Sequence, residues 1–123
     1  MSAAAGAAAA DPPEAARIAP LVAAADFERA IASKGLVVVD FSATWCGPCR
    51  MLAPELEAVA RDHPDSVRIV TVDVDRFPEL AARFKVTALP TLMSFRDGQP
   101  VSQLLGFHDA DALAKWLGLG TTG

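Results

Sequence analysis

The chain has little cysteine and lacks tyrosine and asparagine. It has only two cysteines and no tyrosine among its 123 residues, and asparagine does not occur at all. A secreted scaffold of this size would need several disulfide bridges, so two cysteines exclude such a framework. Without asparagine there is no acceptor for N-glycosylation. Since no run of about 18 or more strongly apolar residues occurs, we also expect no transmembrane helix.

Positive charge is scarce as well. Lysine and arginine number 11 against 15 aspartates and glutamates, which gives a formal net charge of -4 at pH 7. Proteins bind nucleic acids and anionic membranes through basic faces, so we expect neither as a partner. Hydrophobic residues make up 52% of the chain, which is enough for the core of one domain of this length.

The two ends of the chain differ in composition from the middle. Residues 1–17 are rich in alanine and carry no positive side chain before Arg17. We interpret this stretch as a disordered N-terminal tail, with a processed targeting segment as the alternative. We predict that residues 18–118 form a single domain and that residues 119–123, with their glycine and threonine, form a flexible C-terminal tail.

Short apolar runs, several of them β-branched, predict five strands. They are expected at residues 18–22, 36–41, 67–74, 91–95 and 101–105. The first strand contains Pro20, which is tolerated only at a sheet edge. The dipeptide Asp97-Gly98 predicts a hairpin turn between the last two strands.

Helical spacing alternates with these strands. We expect a helix between an Asp26 N-cap and a Gly35 C-cap, and another from the cysteines to about residue 63. A short helix is predicted at residues 79–84, and a final one after an Asp109 N-cap. This order predicts an α/β layer fold with a mixed sheet.

Both cysteines lie in the stretch Cys46-Gly47-Pro48-Cys49, where a buried strand gives way to a helix. At a helix N-terminus the backbone N–H groups are unpaired and the dipole is positive, which stabilises a thiolate at Cys46. Cys49 lies three residues on, over the same face of the first turn, and can close a disulfide with Cys46. So small a loop adds little stability through chain entropy, so the pair is predicted to serve chemistry.

Two plainer interpretations of the cysteines remain open from the residues alone. Cys46 can be an inert structural thiol, or the pair can be half of a zinc site. Zinc would require two more ligands, and only His63 and His108 are spare. There is no second pair of cysteines, so no metal site is expected.

Asp40 is an acid inside a strand that is predicted to be covered on both faces. Burial disfavours the ionised carboxylate, so the pKa of Asp40 should be raised. Near a dithiol, such a group can carry protons to and from a thiol. The alternative is a paired structural aspartate at a strand end, and the residues alone favour neither.

Several separate motifs together resemble the thioredoxin family. They are Val39-Asp40-Phe41, Trp45-Cys46-Gly47-Pro48-Cys49-Arg50, Leu89-Pro90-Thr91, and the glycines at 98 and 106. The resemblance covers residues 18–117 and implies the thioredoxin fold, a central mixed sheet of about five strands flanked by about four helices. It also implies a monomeric, cytoplasmic protein-disulfide reductase that works by dithiol–disulfide exchange without a bound cofactor. The partners implied are disulfide-containing target proteins and a thioredoxin reductase, either NADPH- or ferredoxin-linked.

The resemblance also implies roles for residues around the dithiol. Cys46 is the attacking thiolate, Cys49 is the more buried resolving thiol, and Asp40 assists the proton transfer. Gly47 and Pro48 form the loop between them, and this dipeptide accompanies the reducing members of the family. Proline costs little there, because its missing N–H would be unpaired in the first helical turn. Trp45 is expected to be a partly exposed platform, with a core tryptophan as the alternative.

The substrate groove is implied by resemblance as well. Pro90 should be cis, with an ordinary trans proline as the alternative, and Leu89 should offer backbone groups to the substrate chain. Thr91 completes that loop, while Gly106 and Phe107 should border the groove unless the glycine only ends a strand.

The chain departs from the family pattern at two positions. Thr71 stands where many bacterial members carry a lysine facing the buried acid, and Ser42 stands where many have tryptophan. Two rival functions stay in view. One is a thiol oxidase or isomerase of an oxidising compartment, and the other is a thioredoxin-fold subunit that binds a partner as a scaffold.

Overall fold

The structure is a computed structural model that describes residues 18–120. The tail predicted at residues 1–17 and the last three residues of the C-terminal tail lie outside the described residues.

Within residues 18–120 the chain forms five strands and four α-helices. The strands are β1 (Ile18–Pro20), β2 (Leu36–Ser42), β3 (Val67–Asp73), β4 (Thr91–Arg96) and β5 (Gln99–Leu105). The helices are α1 (Phe27–Ile31), α2 (Gly47–Asp62), α3 (Pro78–Arg83) and α4 (Ala110–Leu117). A single 3-10 turn, Ala24–Asp26, precedes α1.

The strands form one sheet in the order β1-β3-β2-β4-β5. The first three strands run parallel to one another, whereas β4 is antiparallel to both β2 and β5. The mixed sheet and the edge position of β1 are therefore confirmed. A hairpin joins β4 to β5 through Asp97 and Gly98, whose φ angles of 53° and 79° fit a two-residue type I′ turn.

The central strand β2 is buried on both faces, as its unbroken apolar sequence predicts. On one face Val37, Val39 and Phe41 pack in a core with α1 and α3. On the other face Leu36 and Val38 pack against α2 and α4. The side chains of β2 therefore alternate between the two helix-covered faces of the sheet. Asp40 lies on the same face as Leu36 and Val38.

The two predicted N-caps have different outcomes. Asp109 caps α4, because its carboxylate accepts a hydrogen bond of 2.9 Å from the N–H of Ala112. The caps predicted for the first helix are wrong: Asp26 makes no capping hydrogen bond, and α1 ends at Ile31, well before Gly35. The 3-10 turn brings the chain into α1 already in a helical conformation, so Asp26 lacks the extended backbone of a capping residue.

Candidate active site around the two cysteines

The cysteines lie at the junction of β2 and α2. Cys46 is the N-cap residue of α2, and its Sγ accepts a hydrogen bond of 3.2 Å from the backbone N–H of Cys49. The two sulfurs form a disulfide, with the Cα atoms 5.3 Å apart. The predicted place at a helix N-terminus is confirmed, and a backbone donor points at the sulfur that would carry negative charge as a thiolate.

The expectation that Cys49 is more buried than Cys46 is wrong, because each cysteine exposes 5% of its surface. Ala43, Val74 and Leu89 pack in one small apolar cluster with both cysteines. While the sulfurs are joined, the same neighbours cover both of them. The two cysteines differ instead in which cavity each one lines.

Cys46 lines a groove of about 720 Å³, which we call the front groove. Its walls come from residues 45–48, from α3 and from residues 86–89. Trp45, Gly47, Pro48 and Leu89 therefore lie together around the first cysteine. Most of the wall is apolar or small, which suits an extended protein segment.

Trp45 is a large exposed side chain of this groove. It exposes 66% of its surface, so the platform interpretation is confirmed and the core alternative is wrong. Its indole Nε1 donates a hydrogen bond of 2.8 Å to Oδ2 of Asp75, which follows β3. This contact fixes the orientation of a large aromatic ring that would otherwise rotate in solvent.

The loop opposite the cysteines is held by its own hydrogen bonds. The Leu89-Pro90 peptide bond is cis, as the resemblance implies. The hydroxyl of Thr91, which is buried, donates to the carbonyl oxygen of Ala88 at 2.6 Å. The N–H of Gly106 donates to the carbonyl oxygen of Pro90 at 2.9 Å. Thr91 and Gly106 therefore brace the loop from behind, and among the described residues neither of them lines the front groove.

Phe107 follows Gly106 and is 42% exposed, but it does not line the front groove as this cavity is drawn. The glycine itself has a φ of 83°, a left-handed conformation that turns the chain at the end of β5. Because β5 ends at this turn, the structure is compatible with both interpretations of Gly106 and Phe107: that they border the substrate groove, and that the glycine only ends the strand.

Cys49 lines a second cavity, of about 330 Å³, which we call the rear cleft. Asp40, Ser42, Ala53 and Thr71 line it as well. The front groove and the rear cleft share no lining residue. The disulfide therefore separates two cavities, with one cysteine belonging to each.

Asp40 is the buried acid of the rear cleft. It is 3% exposed, and its Oδ1 has no hydrogen-bond partner among the described residues. Burial raises the pKa of this carboxyl to about 7, as the sequence predicts. The alternative, a paired structural aspartate, requires a hydrogen-bond partner for the carboxylate, and among the described residues Oδ1 has none. Thr71 is its register partner on β3, which confirms that this residue takes the position facing the acid.

Within residues 18–120, no group of three or more histidine, cysteine, aspartate or glutamate side chains is arranged to hold a metal ion. No helix in that part of the chain is long and apolar enough to cross a membrane.

The sequence did not point to Asp75 or to the rear cleft. A signal for both exists in β3 and its exit, where Thr71, Asp73 and Asp75 alternate with valines. Polar residues at every second position lie on one face of a strand. This alternation does not, however, show which side chains of β2 lie beside the polar residues of β3, because that depends on the register between the two strands.

Comparisons with known proteins agree on one family. The model of the Thioredoxin family matches residues 19–118. A curated thioredoxin of Staphylococcus aureus is 47% identical over 93 residues, which are 76% of this chain and 88% of that relative. Oxidised mitochondrial thioredoxin 3 of Saccharomyces cerevisiae is 36% identical with a TM-score of 0.71, covering 87% of this chain and 97% of that one. Chloroplastic thioredoxin z is 36% identical with a TM-score of 0.75, covering 82% and 91%.

Proposed function

The chain belongs to the thioredoxin family, and from that premise we propose the role of each site residue in its activity. The protein is a thiol-disulfide oxidoreductase that reduces protein disulfides through a redox-active cysteine pair. The observation that carries the assignment is the split between the cavities, since Cys46 lines the front groove and Cys49 lines the rear cleft with Asp40.

Cys46 is the attacking group in this proposal. Its thiolate bonds to one sulfur of the target disulfide, and the other target sulfur leaves as a thiolate. The N–H of Cys49, 3.2 Å from Cys46 Sγ, stabilises the negative charge before the attack. The front groove gives the target access to Cys46 and not to Cys49, which supports this order.

Cys49 resolves the mixed disulfide with the help of Asp40. The Asp40 carboxylate accepts the thiol proton, Cys49 bonds to Cys46, and the second target sulfur leaves as a thiolate. The two electrons of the dithiol thus pass to the target, and the cysteine pair ends as the disulfide. A pKa of about 7 suits this role, because both forms of Asp40 are populated near neutral pH.

The front groove binds the target chain in this proposal. Trp45, Gly47 and Pro48 form one wall, and the backbone of Leu89 offers hydrogen bonds from the other. Pro90, Thr91 and Gly106 hold that wall in place, and the exposed Phe107 extends the apolar surface beside it.

Thioredoxins work with a reductase and with disulfide-containing targets. We propose that an NADPH- or ferredoxin-linked thioredoxin reductase restores the dithiol, and that the protein acts as a monomer built on one domain over residues 18–118. The cytoplasm is the proposed compartment, since a reductant of target disulfides needs reducing surroundings. Cell fractionation tests this last point, because the relatives named above include a mitochondrial and a chloroplastic protein.

The order of attack is tested by trapping. In a Cys49→Ser variant the mixed disulfide with Cys46 is not resolved, so target proteins should accumulate as adducts that a reductant releases. The matched control is Cys46→Ser, which should form few adducts. If the control traps as many targets as Cys49→Ser, the assigned roles are wrong.

The direction of electron flow is tested by equilibrating the pair with glutathione. A reduction potential near about -270 mV, the value typical of thioredoxins, supports a reductant. A value near about -180 mV, typical of disulfide isomerases, would favour the rival oxidase or isomerase function.

A further inference from the structure

The short helix α3 connects the apolar core to the front groove. Three of its residues, at the spacing of one helix face, line the groove: Pro78, Ala81 and Ala82. Three residues of the same segment pack instead in the core with α1: Phe77, Leu80 and Phe84. A helix of six residues has too few turns to be stable alone, so its position depends on contacts with the rest of the domain. The contacts that hold α3 in the core therefore also hold one wall of the front groove.

The chain leaves α3 by a tight turn that leads into the next part of the groove wall. The N–H of Lys85 donates to the carbonyl oxygen of Ala82 at 3.1 Å. The N–H of Val86 donates to the carbonyl oxygen of Ala81 at 2.9 Å. These two bonds form a Schellman motif, whose left-handed residue is Lys85, with a φ of 57°. This backbone conformation is unfavourable for a residue with a Cβ, so the surrounding contacts must hold it. Residues 86–89 follow at once and line the front groove.

Arg83, the last residue of α3, connects this helix to α1. Its guanidinium carbon lies 4.8 Å from the ring centre of Phe84 and 5.5 Å from that of Phe27. Its Nη1 donates a hydrogen bond to Oε2 of Glu28, which is 55 positions away in the chain. Both charges lie at helix ends that favour them, since Glu28 is in the first turn of α1 and Arg83 is in the last turn of α3. One planar cation is thus in contact with two rings and a carboxylate at once.

The two rings in contact with Arg83 belong to a cluster of four phenylalanines. The ring centre of Phe84 lies 5.6 Å from that of Phe27, 5.9 Å from that of Phe41 and 5.7 Å from that of Phe95. The last three rings are fully buried, whereas Phe84 is partly buried. Arg83 therefore contacts the residue through which the end of α3 packs against both α1 and the sheet.

We propose that Arg83 is a positioning residue for target binding, which holds α3 and the turn after it so that both parts of this wall keep their place in the front groove. The inference rests on the proposed function, because it takes the front groove to be the place where the target binds. Of the described residues, neither Arg83 nor Glu28 lines the groove, so their effect on a target passes through α3.

The exposure of the pair separates a local effect from a general one. The side chain of Arg83 is 48% exposed and that of Glu28 is 65% exposed. An ion pair so open to solvent adds little to the stability of the whole domain. Loss of the pair should therefore loosen α3 and leave the sheet and the cysteines as they are. The rival explanation is that Arg83 attracts acidic targets through its charge alone, without positioning anything.

The test compares a protein disulfide with a small one. Steady-state reduction of insulin, with dithiothreitol as the electron donor, gives KM and kcat. The reagent 5,5′-dithiobis(2-nitrobenzoate) reports the attack of Cys46 on a disulfide too small to extend along the groove. In Arg83→Ala we expect KM for insulin to rise about threefold to tenfold, with kcat and the rate with the small reagent unchanged. If the wild-type protein does not reduce insulin, the proposed function fails and this inference fails with it. If it does, the variants test Arg83 alone.

Two further variants separate positioning from charge. Arg83→Lys keeps the charge, but an ammonium cannot lie flat over two rings while it binds Glu28, so KM should rise as it does in Arg83→Ala. Glu28→Ala should raise KM about twofold, although none of the described residues that line the groove belongs to α1. The matched control is Arg29→Ala. Arg29 is also exposed and paired, with Asp26 at 3.4 Å, and its removal should change neither KM nor kcat.

Hydrogen exchange shows whether the change is confined to α3. In Arg83→Ala the hydrogen-bonded amides of residues 80–86 should exchange about threefold to tenfold faster, with those of β2 unchanged. The inference is overturned if Arg83→Ala leaves KM unchanged. It is also overturned if Arg83→Lys keeps the wild-type KM while Arg83→Ala raises it, because charge alone then explains the effect. An equal rise of exchange in β2 and α3 overturns it as well, since the loss of stability is then general.

Discussion

The indole of Trp45, which lines the front groove, donates a hydrogen bond of 2.8 Å to the carboxylate of Asp75. Thirty positions separate the two residues in the chain. The bond connects the residue before Cys46 to the turn after β3, so it links the chain segments that follow two neighbouring parallel strands. Asp75 is itself held, since its N–H donates to Oδ1 of Asp73 at 2.9 Å.

Removing this bond should weaken target binding more than it weakens the fold. In Asp75→Ala, Trp45 loses its acceptor and its ring becomes free to rotate. If the bond contributes about 1 kcal/mol to orientation, the KM for a protein target should rise about fivefold, with kcat little changed. Steady-state reduction of insulin measures both constants. Asp75→Asn keeps an acceptor oxygen and is the matched control; an equal rise in that variant would contradict the explanation.

Asp40 should cost stability at high pH. Its pKa is raised from 3.8 to about 7 in the folded protein, so between these values the carboxyl ionises only in the unfolded chain. Stability then falls as pH rises through this window and levels off above about 7, for a total on the order of 4 kcal/mol. Well below the unfolded-state pKa of 3.8 the carboxyl is protonated in both states and the penalty disappears.

The oxidised Asp40→Asn variant should therefore be more stable than the wild-type protein at pH 8, with most of the difference lost by pH 4. Urea unfolding across this range measures it. Asp62→Asn removes one exposed negative charge and is the matched control. A stability difference that stays constant from pH 4 to pH 8 would show that Asp40 does not titrate as described.

The same carboxyl should set the pH dependence of the resolving step. Its proton-accepting form is populated as pH rises through about 7, so the rate of the intramolecular step should rise over that range. In Asp40→Asn this rise should be lost and the rate at pH 7 should drop by roughly tenfold to a hundredfold. Stopped-flow mixing of the reduced protein with 5,5′-dithiobis(2-nitrobenzoate) measures it, because Cys46 releases a first coloured thiolate and the intramolecular step of Cys49 releases a second. A variant with the wild-type pH profile would assign the proton to another acceptor.

A further prediction concerns the fold alone. Oε1 of Glu55 on α2 accepts a hydrogen bond of 2.8 Å from the N–H of Ala110, the first residue of α4. A carboxylate at a helix N-terminus satisfies a backbone donor and favours the helix dipole. Glu55→Ala should lower the free energy of unfolding by about 1 kcal/mol, and Glu55→Gln by less. Thermal unfolding measures this, and disulfide reduction at room temperature should be unchanged.

Local sequence predicts the parts of this protein whose cause is local. The hairpin follows from Asp97-Gly98, because both positions need positive φ. The Asp109 cap follows from a short acceptor placed before an amphipathic helix. The dithiol at the start of α2 follows from an apolar strand meeting helical spacing. Each of these depends on residues within a few positions of one another.

What the sequence does not predict depends on distant partners. The rear cleft exists because β2 and β3 are parallel neighbours in one register, which sets Asp40 beside Thr71. A helix separates those strands in the chain, so no local pattern specifies the pairing. The same holds for Trp45 and Asp75. The failed cap at Asp26 has a different cause, since an unforeseen 3-10 turn took the place of the extended capping residue.

The separation of the front groove from the rear cleft has a consequence for how such a protein can change. With the roles proposed above, we expect substitutions in the walls of the groove to alter which proteins are recognised and to leave the surroundings of Asp40 as they were. We expect substitutions in the cleft to alter the rate at which every target is released, whatever its identity. Selectivity and turnover would then be independently adjustable, by natural drift or by a designer, within a single small domain.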